Sequence, residues 1–215
     1  VASAATRSKK WKDVVDTVVN MTDKNPLARK SAASLIYETG VHESGFLKHV
    51  KQIGGGPARG LTQVEQSTAK DIIQNYGKHR SGVMGVLSKT SGRTSEDLLA
   101  MSGKELGDIA TKNQAFTAAL TRFKYKRIPE AIPATLEDRA SYWAKNYWAG
   151  NTSGKTQAQI SAMRSGKATQ FIKHNRQFKE QARTAGLTNK VMHGKRTQHQ
   201  VIDVHEKTKH LFNIR

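Results

Sequence analysis

Two glutamates flank a glycine-rich turn in this chain, and their type and placement suit proton transfer. Glu43 falls near the end of a predicted helix, in phase with Ala28, Ala32, Leu35, Ile36 and Thr39. A carboxyl on the apolar side of a helix end is partly desolvated, which raises its pKa. Such an acid can protonate a leaving oxygen near neutral pH, as glycoside cleavage requires. The net charge of +19 favours the carboxylate instead, so local burial has to outweigh it. The same placement also fits a solvated glutamate at a helix end. Glu65 follows the glycine turn and supplies the second acid of an acid/base or acid/nucleophile pair. It fits equally well as a negative charge at the start of the next helix.

Other chemistries find less support. The turn holds Gly54, Gly55, Gly56, Pro57 and Gly60, where backbone can approach a ligand closely. A phosphate and a sugar chain are both compatible with that, but no Gly-Lys-Ser/Thr or GxGxxG pattern accompanies it. The eight histidines are scattered with no HExxH, so no metal site and no cofactor is expected. Tyr142, Trp143, Tyr147 and Trp148 cluster on one predicted helix, suited either to core packing or to stacking on sugar rings.

These residues need a scaffold, and the chain has the length for one domain with extensions: 215 residues, 36% hydrophobic. No apolar run approaches the ~20 residues of a membrane span. The first residues carry no signal-peptide pattern. Cysteine is absent, which excludes disulfides and cysteine-based zinc sites and fits a protein that meets both reducing and oxidising compartments. The charge attracts polyanions such as nucleic acid, teichoic acid or peptidoglycan, and also serves solubility. Residues 151–215 hold 13 Lys/Arg against 3 Asp/Glu.

The positioning elements read as mainly helical. Trp11, Val14, Val15, Val18 and Val19 form one face of a first helix. Asn25-Pro26 opens a second, over 26–44, with Gly45 as its stop. Gly40 interrupts that helix at a cost of about 1 kcal/mol. Residues 48–62 are turn or short β structure. Further helices are expected over 67–76, 81–89 and 103–124, the last opened by the capping box Ser102/Glu105, with another box at Thr94/Asp97. The two prolines of 128–133 hold an extended connector. Thr135 starts a helix through Trp148, and 156–184 form one or two helices with a candidate break at 165–166. Beyond Gly186 the pattern fades into a basic, histidine-bearing tail.

In order along the chain, HESGF and GPARGLTQVE resemble the lysozyme-like superfamily, in particular lytic-transglycosylase-type and goose-type lysozyme domains. Glu43-Ser44 match its Glu-Ser at a helix end. Gly60-Leu61-Thr62-Gln63 match its Gly-Leu-Met-Gln, with Thr for Met. A phage-associated branch is closer still, through Gln52, Gly55, Gly56, Pro57, Ala58, Gly60, Gln63, Glu65, Thr68 and Asp71. Tyr125-Lys126-Arg127-Ile128-Pro129 and Tyr142-Trp143…Tyr147…Asn151-Thr152 resemble its later segments. Here Trp148-Ala149-Gly150 separates Tyr147 from Asn151, a departure from that pattern.

The resemblance covers about residues 26–172, leaving 1–25 as a helical extension and 173–215 as a basic one. It implies an α+β lysozyme-like fold and cleavage of the β-1,4 bond between N-acetylmuramic acid and N-acetylglucosamine. Glu43 would be the general acid, and Glu65 would stand where hydrolytic relatives carry a second acid. Ser44, Gly60, Gln63 and Tyr147 would hold substrate or orient Glu43. The expected setting is a phage particle, with peptidoglycan glycan strands and other virion proteins as partners and nucleic acid reached through the basic surface. A hydrolytic muramidase is the first alternative. A structural virion protein of the same fold and a DNA-binding protein are the others.

Overall fold

The computed structural model describes residues 2–148 and 150–209, with side chains as far as residue 188. The chain is mainly helical, with nine α-helices and one two-stranded sheet among the described residues. α1 (Ala4–Thr22) and α2 (Pro26–Glu43) pack side by side. Asn25 caps α2 as expected, its Oδ1 accepting from the N–H groups of Leu27 and Ala28. Ala32, Leu35 and Ile36 make α2 the inner helix, with no exposed surface.

After α2 comes the small sheet, β1 (Ala58–Arg59) antiparallel to β2 (Val64–Glu65), pairing Ala58 with Glu65 and Arg59 with Val64. α3 (Gln66–Asp71) follows and continues as a π-helical turn, Ile72–Gly77, whose Ile72 and Ile73 are fully buried. α4 (Ser81–Ser91) and α5 (Ser95–Ala100) come next. Both expected capping boxes form, at Thr94/Asp97 and Ser102/Glu105.

The single helix expected over 103–124 is two helices, α6 (Gly103–Lys112) and α7 (Gln114–Lys126). Asn113 breaks it. Its Oδ1 accepts from the N–H groups of Ala115 and Phe116, and its Nδ2 donates to Thr90 O at 2.6 Å. A short polar side chain that competes for backbone donors ends one helix and caps the next. α7 then runs through the core, with Phe116, Leu120 and Phe123 buried. α8 (Leu136–Asn146) stops two residues before Trp148, with Tyr147 as its C-cap.

α9 (Gln157–Lys209) is unbroken at Gly166 and continues past Gly186, where the sequence pattern fades into a basic tail. A glycine costs helix stability without forbidding helix. The flanking segments set apart by sequence are packed into the same core. Trp11, Val15, Val18 and Val19 of α1 are at most 1% exposed, and Phe178 of α9 is fully buried. No described helix is long and apolar enough to cross a membrane.

Two buried ion pairs tie distant parts of the chain together. Arg122 of α7 grips Asp23, with Nε 2.7 Å from Oδ2. Arg139 of α8 grips Glu38 of α2 through two hydrogen bonds of 2.7 and 2.6 Å. Burial still holds the Glu38 carboxyl above its usual range despite Arg139. Removing one partner of such a pair strands a charge in the core. Arg139→Met should therefore destabilise the protein by about 3–5 kcal/mol in urea unfolding at pH 7. The double variant with Glu38→Met should recover most of that loss; an Arg139→Met protein as stable as the parent would contradict the account.

Candidate active site

Glu43 is the last residue of α2, and the chain beyond it turns sharply away. Ser44 makes the turn. Its Oγ donates to Gly40 O and accepts from Leu47 N at 3.0 Å. Ser44 is fully buried, so it locks the end of α2 and does not face the cleft as the resemblance implied. Gly45, Phe46 and Leu47 follow with φ of 57°, 65° and 59°. A left-handed conformation costs a side-chain-bearing residue about 1–2 kcal/mol. Packing offsets it here: Phe46 stacks on Phe178, and Leu47 is buried.

Earlier in α2, Gly40 has a steric reason. A Cβ there would lie 2.4 Å from Trp11 Nε1, so the glycine lets α1 close on α2. Thr39 Oγ1 shares a hydrogen bond with Tyr125 OH at 2.9 Å. Asn175 of α9 donates to Glu38 O at 3.2 Å. The helix end that carries Glu43 is thus held from α1, α7, α8 and α9.

Glu43 opens into a cleft of about 410 Å³, which it shares with Gln63, Glu65, Lys124, Tyr147 and Trp148. The structure thus brings Glu43, Glu65, Gln63 and Tyr147 together, as the sequence suggested. Gly60 stands behind the cleft wall instead. With φ of 73° it lies so close to α7 that a Cβ would meet Thr117 Oγ1 at 2.3 Å. Gln63, itself left-handed at φ 51°, donates from Nε2 to Gly60 O at 2.8 Å. That bond leaves its Oε1 as the atom with acceptor capacity for a ligand. Glu65 is exposed and stands at the N-cap position of α3, the negative charge at a helix start that the sequence allowed, although its side chain makes no hydrogen bond to the helix.

Burial dominates the state of Glu43 and pushes its pKa from 4.5 up to about 7. The charges of Lys124 and Lys167 and the indole N–H of Trp143 work in the opposite direction. That N–H is buried and falls short of a well-formed hydrogen bond. Near neutral pH a large fraction of Glu43 therefore carries its proton. Its neighbour His42 points into the seam with α9, with its ring 4.6 Å from Trp143 and 4.8 Å from His174. Burial lowers its pKa to about 4, so it stays neutral and is no proton donor at physiological pH.

Tyr147 is a wall of the cleft with its hydroxyl engaged. The OH donates to Thr62 O at 2.8 Å, and burial, then the Glu43 charge, raises its pKa. Lys124 was missed by sequence reasoning. Its Nζ lies 3.7 Å above the Tyr147 ring and donates to Tyr147 O at 3.2 Å. Burial lowers its pKa, and the charges of Glu43 and Glu65 oppose that. A signal was present in the spacing. Thr117, Thr121 and Lys124 repeat at i, i+4 and i+7 along α7, and the first two meet Gly60 and Thr62. A polar stripe on a core helix marks the side that faces the site. Among the described residues, no group of three or more His, Asp or Glu is placed to hold a metal.

The raised pKa has a stability cost with a definite sign. The folded protein binds a proton at Glu43 that the unfolded chain releases between pH 4.5 and about 7. This contribution to stability is complete below pH 4.5 and is lost as pH rises through 7. Glu43→Gln should therefore be more stable than the parent at pH 8, by about 2 kcal/mol after allowing for partial solvent exposure. The difference should shrink as pH falls toward 4.5, as read from paired urea titrations. A variant less stable than the parent at pH 8 would refute it. Comparison of the chain with protein families, with curated proteins and with solved structures found no match.

Proposed function

We propose that this cleft cleaves peptidoglycan glycan strands in the manner of a lytic transglycosylase, with Glu43 as the general acid. One observation carries the reading. A carboxyl with a pKa near 7 sits at a helix end in a cleft lined by amides and aromatic groups. Glu43 donates its proton to the glycosidic oxygen as the bond from that oxygen to muramoyl C1 breaks. The carboxylate left behind is stabilised by the Lys124 ammonium. It then takes the proton of the muramoyl 6-hydroxyl as O6 closes on C1, which yields a 1,6-anhydro end and restores the acid. The proton is returned and no water is consumed.

A hydrolytic muramidase is the second reading, and the placement of Glu65 favours it. Glu65 lines the same cleft and is exposed, so it can direct a water to C1. The setting in a phage particle and contact with other virion proteins rest on the sequence resemblance. Nucleic-acid contact, as for a structural or DNA-binding role, rests on the net charge of +19.

Incubation with purified sacculi followed by mass spectrometry of the released fragments tests the proposal. Anhydro-muropeptides should appear with the parent protein, and Glu43→Gln should reduce them by about 10²–10⁴-fold. Reducing ends in their place would assign the hydrolytic reading, and no fragments at all would remove both. The pH profile is a second test. Because the protonated acid is required, kcat/KM should fall as pH rises through about 7. Lys124 holds the Glu43 pKa down, so Lys124→Met should move that limb to higher pH. An unmoved limb would sever Lys124 from Glu43.

A further inference from the structure

The aromatic cluster seen in the sequence separates into two kinds of residue. Trp143 is 1% exposed, and Tyr142 and Tyr147 are buried. Trp148 is the partly exposed member, and it lines the cleft beside Glu43. It belongs to the Trp148-Ala149-Gly150 segment that interrupts the matched pattern. We propose that Trp148 is a stacking platform for an N-acetylhexosamine ring of the glycan; this rests on the reading of the cleft as a glycan site.

The platform is built from the backbone up. Trp148 N donates to Trp143 O at 3.2 Å, which ties it to the end of α8, next to the indole that flanks Glu43. Gly150 lies directly against its ring. A Cβ there would fall 1.9 Å from Cζ2, so only glycine leaves the indole where it is. Lys167 of α9 holds its ammonium over the ring, 5.7 Å from its centroid, and adds donors at the platform. Gln52 and Gln63 contribute amides to the same cleft. A pyranose presents polarised C–H groups on its faces and hydroxyl and acetamido groups at its rim. An electron-rich indole face beside amide groups matches both. A phosphate ligand would use the lysines and have no need of the indole.

Binding is measured in the Glu43→Gln protein, which separates it from cleavage. The probe is an N-acetylglucosamine oligomer, titrated by calorimetry. Trp148→Ala in that background should weaken binding about five- to tenfold. Gly150→Ala keeps the indole but displaces it, and should weaken binding comparably, while Trp148→Phe should retain part of it. In the active protein Trp148→Ala should raise KM with kcat nearly unchanged, and urea midpoints report whether each variant is folded. Folded Trp148→Ala and Gly150→Ala proteins that bind as tightly as their parent would overturn the platform, as would absence of oligomer binding in the parent. Trp148-dependent binding without any cleavage of sacculi would uphold the platform and remove the catalytic reading. Cleavage with a KM indifferent to Trp148 would do the reverse.

Discussion

The Glu43 carboxyl can hold a proton near neutral pH only while the last two turns of α2 stay enclosed, and much of the structure serves that enclosure. α1 closes on Gly40 through Trp11, α7 reaches Thr39 through Tyr125, α8 grips Glu38 through Arg139, and α9 bonds the Glu38 carbonyl through Asn175. These contacts come from residues far apart in sequence. They converge on two turns of one helix, so a shift of any of the four would hydrate the carboxyl more fully.

The electrostatics are a contest between burial and charge. A net charge of +19 and the nearby Lys124 and Lys167 all favour the carboxylate. Desolvation still prevails, because the loss of hydration acts on the group at contact range while distant charges are screened by solvent. Lys124 then has a defined place. Its charge lowers the Glu43 pKa without outweighing burial, and in the proposed reaction it stabilises the carboxylate once the proton has left. The left-handed run at Gly45, Phe46 and Leu47 belongs to the same design. It ends α2 abruptly, so that Glu43 meets the cleft instead of another turn of helix.

Local signals in the sequence located most of the elements. Asn25-Pro26 and the boxes at Thr94 and Ser102 are backbone chemistry written in adjacent residues, and they form as expected. The phase of α2 aligned Glu43 with Ala32, Leu35, Ile36 and Thr39, which are buried, while Glu43 itself is half-buried at the cleft and Ala28 is exposed. What escaped was tertiary. Asn113 breaks a helix because its side chain reaches both Thr90 and the start of α7. Gly40 read as a local weakness, and its reason is a tryptophan 29 positions away. Ser44 matched a pattern but proved to be a buried lock, and no motif marked Lys124. The continuity of α9 past Gly186 also went unread, since glycine and scattered charge mimic a tail.

The proposed acid chemistry depends on the protonation state of one group. A carbon-13 NMR titration of the glutamate side-chain carboxyls, with Glu43 assigned by its absence in Glu43→Gln, reads that state directly. A midpoint near 7 for Glu43, well above the ordinary value of 4.5, is the expected result. A Glu43 carboxyl that titrates near 4.5 would show it solvated and ionised at neutral pH, and would contradict its proposed role as the acid.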